Sequence, residues 1–142
     1  MVDGMNVIGA RPDGWWRDRA GARRALVGEL SALADDDTAV TVVFDGRPQG
    51  AESDPVPGVT VTFAPGGPDA ADDAIVVLVE GLSDQAGTVV VTSDRTLADR
   101  VRRLGATVEG VTAFRTRLGT ARDGPDGDGR GRGGRRSADG AE

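Results

Sequence analysis

Apolar residues in the first 118 positions fall into short runs separated by loops rich in glycine, proline and aspartate. The first run is only Met1-Val2, a strand that stops at Asp3, and a polar loop over 9–14 follows. From 15 or 17 to 34, Leu26, Val27, Leu30 and Leu33 recur at helical spacing, with Arg19, Arg23 and Arg24 elsewhere on that helix. Asp35-Asp36-Asp37 closes it as a solvated turn. Residues 39–44 form a nearly continuous apolar run, the kind buried on both faces of a parallel sheet. After a Pro/Gly-rich loop over 46–58, the segment 59–63 alternates Val, Thr, Val, Thr, Phe, which predicts a half-buried strand near an edge. A turn over 64–68 leads to Asp69, placed to cap a helix over 70–81. That segment is apolar nearly all round, so a strand competes. The helix is preferred because it puts Asp72, Ile75 and Val79 on one face.

A strand over 88–92 then precedes a helix over 95–104, capped by Ser93 or Asp94 and stopped by Gly105. A strand over 106–108 and a helix over 112–118 complete the pattern. Beyond Arg122 the chain is Gly, Asp and Arg with almost nothing apolar, so residues 121–142 are expected to be a disordered tail. The alternation predicts one three-layer α/β/α domain over 1–120, Rossmann-like, with a mainly parallel sheet.

Composition narrows the chemistry. The 142 residues include no cysteine and no histidine, and all 17 basic residues are arginine. Disulfides, thiolate or imidazole metal sites, cysteine nucleophiles, serine–histidine triads, lysine Schiff bases and lysine-dependent phosphate loops are therefore excluded. Arginine suits bidentate phosphate recognition, although a GC-rich coding sequence produces the same bias. The net charge is −6, and the last 22 residues balance five arginines against five acids, so the whole excess lies in the domain. That is not the basic balance of a typical nucleic-acid binder. A local arginine patch or a bound cation would have to attract a polyanion. No signal peptide and no run long enough to span a membrane is present, which predicts a cytoplasmic protein with no membrane partner.

Four carboxylates stand where strands hand over to loops or helices. Asp3, Asp45 and Asp94 follow predicted strands, and Asp72 falls in the first turn of a predicted helix. Each has a bland explanation: Asp3 and Asp45 as turn residues before glycine, Asp72 as a complement to the helix dipole, Asp94 as an N-cap. In a parallel sheet, however, all such strand ends lie on one edge, and the helices begin there too. Four carboxylates gathered in one cleft do not ionise cheaply without a cation. Magnesium or manganese, which take oxygen ligands, would resolve the repulsion. Such an ion would support phosphodiester hydrolysis without histidine. Asn6, three residues after Asp3, is placed to orient a ligand or to cap a helix. Asp73 is a neighbour expected to face solvent. Thr92 and Ser93 are placed to donate to a phosphate or to cap.

The motifs Val2-Asp3-Gly4-Met5-Asn6-Val7-Ile8, Val43-Phe44-Asp45-Gly46, Ala71-Asp72-Asp73-Ala74-Ile75 and Val91-Thr92-Ser93-Asp94-Arg95, followed by Leu104-Gly105-Ala106, occur in that order. Together they resemble the NYN domains of the PIN-like nuclease superfamily, and within them the bacterial YacP-like group, over residues 1–118. The resemblance implies a PIN-like fold and a magnesium- or manganese-dependent ribonuclease. It implies that Asp3, Asp72 and Asp94 are the metal-binding acids, that Asn6 is the asparagine of the first motif, and that Asp45 is the aspartate after the second strand. Two features depart from that pattern. The first strand has two residues before Asp3 where the family has a longer apolar lead-in, so a start upstream of Met1 is expected. The Gly/Arg tail is additional.

The expected substrate is single-stranded RNA. Arg47 and Arg95, next to the acidic motifs, are the expected phosphate contacts, with Asn6 and Ser93 beside them. Trp15-Trp16, flanked by Arg11 and Arg17, would either stack unpaired bases or cover the core. Arg102 and Arg103 are expected on a helix surface. The stretch 130–136 resembles a short Arg-Gly segment, either RNA-binding or inert. A non-catalytic RNA-binding module and a metal-dependent nucleotide pyrophosphohydrolase are the competing functions.

Overall fold

Successive residues of a strand face opposite sides of its sheet. In the computed structural model, which describes residues 1–10 and 14–123, Val42 and Phe44 of β2 (Val40–Asp45) enter one apolar core, and Val43 between them enters another. Val91 and Val90 of β4 (Val89–Val91) divide in the same way. A strand covered on both faces must be apolar at every position, which explains the continuous runs in the sequence.

The sheet is completed by β1 (Val2–Asp3), β3 (Val59–Ala64) and β5 (Thr107–Glu109). Every pairing is parallel, in the order β3-β2-β1-β4-β5. Helices α1 (Gly4–Gly9), α2 (Arg19–Ser31) and α5 (Val111–Asp123) supply the first core, and α3 (Ala70–Glu80) and α4 (Arg95–Arg103) the second. This is the predicted three-layer α/β/α domain. β3 lies at an edge and is half-exposed, as its threonine alternation predicts. Among the described residues, no helix is long and apolar enough to cross a membrane.

The structure departs from the sequence pattern in four places. α1 begins directly after Asp3, with six residues too few to display a helical period. Its first residue, Gly4, lies so close to β2 that a Cβ there would collide with the Phe44 ring and press on Val42. Gly4→Ala is therefore expected to cost about 1–3 kcal/mol by overpacking, read as a lowered urea midpoint. The second departure is at α2, which starts at Arg19 rather than at the tryptophans and ends at Ser31. Asp18 caps it by accepting a hydrogen bond from the Gly21 N–H at 2.9 Å, and Trp15–Arg17 forms a separate 3₁₀ turn. The third is Arg23, which lies off the predicted apolar stripe yet is buried. The fourth is α5, which continues to Asp123. Arg11 and the Arg-Gly stretch of the tail lie outside the described residues.

Short as it is, β1 is held on the β4 side. The Met1 amino group donates to the Val89 carbonyl at 3.0 Å, and the Val91 N–H donates to the Met1 carbonyl at 2.8 Å. β2 begins at Val40 but pairs with β1 only at Val42 and Val43, so the sheet is open in its middle at the edge where the strands start. A cavity of about 730 Å³ occupies that gap, lined by Met1, Thr41, Val89, Phe114 and Arg117 among others.

Candidate functional site

In a parallel sheet every strand end of one kind lies on one edge, and ligands bind where the strand order reverses. Here that switch point falls between β1 and β4. Asp3 is the last residue of β1, and Thr92-Ser93-Asp94 joins β4 to α4. The 730 Å³ cavity is at the opposite edge and contains none of Asp3, Asp45, Asp72 or Asp94 among its lining residues. The convergent polar groups are at the carboxyl edge.

Hydrogen bonds knit that edge together. Asp3 is only 5 % exposed, and the buried Thr92 hydroxyl donates to its Oδ2 at 2.9 Å. The Asp94 N–H in turn donates to Thr92 Oγ1 at 3.1 Å, and Asp94 Oδ1 caps α4 by accepting from the Leu97 N–H at 3.1 Å. Asn6 Oδ1 accepts from the Ser93 N–H at 2.8 Å, and Ser93 Oγ accepts from the Val111 N–H, the first residue of α5, at 3.0 Å. Asp45 Oδ1 accepts from the Ala71 N–H at 3.1 Å. Asp45 thus secures the start of α3, a role the sequence assigned to Asp69, whose side chain makes no capping bond. Asp72 lies in the first turn of α3, on the face that buries Ile75 and Val79.

Electrostatics joins the four acids into one cluster. Burial is the main reason the Asp3 carboxyl is pushed up from 3.8 to about 6. The Thr92 hydrogen bond opposes the rise, and the charges of Asp72, Asp45 and Asp94 add to it. Asp72 is also raised, first by burial and then by Asp94, Asp45 and Asp69, with Arg100 opposing. Among the described residues, no three acidic side chains are drawn close enough to encircle an ion. Two of the four each commit an oxygen to a helix start, and like charges spread apart. Magnesium tolerates this spacing, because it retains several waters and takes only one or two carboxylates directly. An all-oxygen, anionic donor set with one buried charge fits such a hard cation and does not fit a metal that favours nitrogen or sulfur.

The remaining candidates separate clearly. Arg47 and Arg95 are exposed, with no ion pair among the described residues. Asp73 is exposed and pairs with Arg100 at 2.9 Å, bracing α3 against α4. Arg102 and Arg103 are exposed on α4. Trp15 packs against the first core, while Trp16 is 55 % exposed.

The sequence reads Thr92 as a donor to a ligand or as a cap and does not reveal it as the partner of Asp3. The available signal was a threonine at the end of the strand adjacent to β1, which parallel pairing brings level with the end of β1. Thr92→Val keeps the shape but removes both hydrogen bonds. It should destabilise the protein by about 1–3 kcal/mol at pH 8, and by less near pH 4, where Asp3 is protonated. Urea unfolding at the two pH values measures the difference.

The comparisons with known proteins agree with this architecture. The model of the YacP-like NYN domain matches residues 1–128. UPF0178 proteins from two strains of Xanthomonas oryzae pv. oryzae, PXO99A and MAFF 311018, are each 39% identical over 102 residues, covering 70% of this chain. The chain spans 58% of the length of these curated relatives. The crystal structure of Rae1 (YacP) from Bacillus subtilis aligns with a TM-score of 0.73 at 26% identity, over 92% of this chain and 78% of that one. A mutant of the same protein gives 0.74 at 24% identity, over 96% and 84%.

Proposed function

Because the chain belongs to the YacP-like NYN domain family, whose fold is of the nuclease type, we propose that it is a divalent-metal-dependent endoribonuclease acting on single-stranded RNA in the cytoplasm. One observation carries the reading: a nearly buried aspartate, Asp3, held among three other mutually repelling carboxylates at the switch point of the sheet. A fold keeps such an unfavourable charge where a cation can offset it. Asp3, Asp72 and Asp94 would hold magnesium or manganese, one or two of them directly and the rest through the waters the ion retains, with Asp45 assisting. The ion, when bound, would activate water and stabilise charge on the phosphate oxygens.

The chain's own residues divide the remaining work. Thr92 fixes the Asp3 carboxylate, and Asn6 ties the β1–α1 junction to the β4–α4 junction through the Ser93 N–H. The Asn6 amide nitrogen and the Ser93 hydroxyl are then at hand for substrate oxygens. Arg47 and Arg95, which pair with no acid among the described residues, would bind phosphates on either side of the cluster.

The test compares labelled single-stranded RNA with nucleoside triphosphates, with manganese or with chelator, beside Asp94→Asn. Asparagine caps a helix as well as aspartate, so this variant keeps α4 and removes only the charge. Manganese-dependent RNA cleavage that Asp94→Asn abolishes is expected. RNA binding with no cleavage under any condition would leave a binding module. Pyrophosphate release from nucleotides without RNA cleavage would make it a nucleotide hydrolase.

A further inference from the structure

We propose that Trp16 is a stacking platform for an unpaired base of the RNA, with Arg17 and Arg19 placed for the adjoining phosphates. This rests on the reading of RNA as the substrate and adds where the strand lies beyond the acidic cluster.

The position follows from the path of α2. The Arg23 guanidinium lies over the rings of Phe44 and Phe63, near the carboxyl ends of β2 and β3. Arg19 is one helical turn earlier, roughly 5–6 Å further along the axis toward that edge. The Trp15–Arg17 turn directly precedes α2 and so lies at the same end of that helix.

The two indoles are not equivalent. Trp15 packs against the first core, and Arg19 lies 5.3 Å from its ring centre. Trp16 remains 55 % exposed. Its ring meets Trp15 at 85°, with centroids 6.1 Å apart, so Trp15 cannot cover it face to face. Arg17 lies 5.8 Å from the Trp16 centroid. The exposed Trp16 ring offers a flat apolar face, with the Arg17 and Arg19 guanidiniums beside the two indoles. A nucleobase supplies a flat apolar face, and its neighbouring phosphates supply the negative charge. Stacking of that kind along a chain requires a single strand, because bases inside a duplex present no free face.

Trp15 and Trp16 are the only tryptophans, so Trp15→Phe leaves Trp16 as the sole indole reporter. In chelator, where the RNA stays intact, a single-stranded oligouridylate should quench its fluorescence, and a blunt RNA duplex should not. Trp16→Ala should weaken single-strand affinity, read by anisotropy of labelled RNA, by roughly 5- to 100-fold, and Trp16→Phe should recover most of the loss. Circular dichroism establishes that each variant is folded. Unchanged fluorescence at RNA concentrations that saturate the anisotropy signal would overturn the proposal. So would wild-type affinity in Trp16→Ala. If Trp16→Ala still cleaves RNA with manganese at an unchanged KM, the platform fails and the nuclease reading stands. If no variant binds RNA at all, both fail. Self-association lost in Trp16→Ala, seen by sedimentation, would assign the face to a second copy and also overturn the proposal.

Discussion

Asp3→Asn should abolish manganese-dependent RNA cleavage and, at the same time, make the metal-free protein more stable at neutral pH. The two effects share one cause. Burial and three neighbouring carboxylates raise the Asp3 carboxyl from 3.8 to about 6. Between those values the folded state keeps a proton that the unfolded chain has lost. Stability therefore falls as pH rises through that window, and the whole penalty is present above about pH 6. A shift of this size corresponds to roughly 3 kcal/mol. Asparagine has no charge to bury and its oxygen can still accept from Thr92, but its amide needs a new partner, so the expected gain is about 1–3 kcal/mol at pH 8 and none at pH 4. Activity moves the other way. Loss of a residue that merely supports a metal ligand costs about 10–100-fold, so on the proposed reading, in which Asp3 helps hold the ion, its loss should cost more. Urea unfolding with and without manganese separates the effects. The ion should stabilise the wild type through linkage and leave Asp3→Asn unmoved. A variant no more stable than wild type at pH 8 in chelator would show that the Asp3 charge is already compensated inside the fold.

The sequence displayed the strand runs and most helix starts because those signals are local: alternation, helical spacing, turn residues. It also displayed the edge on which Asp3, Asp45 and Asp94 lie, since parallel strands leave no choice. What it could not display are contacts made across the chain. The capping of α3 by Asp45 joins residues 26 positions apart, and the Thr92–Asp3 bond joins residues 89 apart. Neither has a local signature. α1 stayed hidden because one and a half turns carry no period, and because the reason for Gly4 lies in the Phe44 ring on another strand. A capping role and a place in the acidic cluster are also compatible: Asp94 caps α4 and adds its charge at Asp3 at once.

Arg23 was the largest misplacement, and it leads to the second large effect. A helical arginine normally faces water, but the Arg23 and Glu52 side chains are 7% and 2% exposed and form a bidentate pair, with NH2 to Oε1 at 2.9 Å. Glu52 Oε1 also accepts from the Gln49 N–H at 2.7 Å. Burial raises the Glu52 carboxyl, but the hydrogen bonds from Arg23 and Gln49 and the charges of Arg23 and Arg24 outweigh it, and the net shift is downward. Its stabilisation is complete above the ordinary carboxylate range and is lost as pH falls through the lowered value, opposite in sign to Asp3. Removing one member of a buried pair leaves an uncompensated charge and costs 3–5 kcal/mol in general. Glu52→Leu alone should cost about 3–5 kcal/mol, because it leaves the buried guanidinium without its partner. The double variant Arg23→Met, Glu52→Leu leaves no buried charge and should recover most of that loss. It should not recover the anchor at Gln49, two residues after Arg47. If Arg47 binds phosphate, the double variant will unfold at nearly the wild-type urea midpoint yet cleave RNA with a raised KM. A wild-type KM would place the work of Arg47 elsewhere, and a double variant as unstable as Glu52→Leu would show that the ion pair, rather than apolar packing, holds the β2–β3 loop to α2.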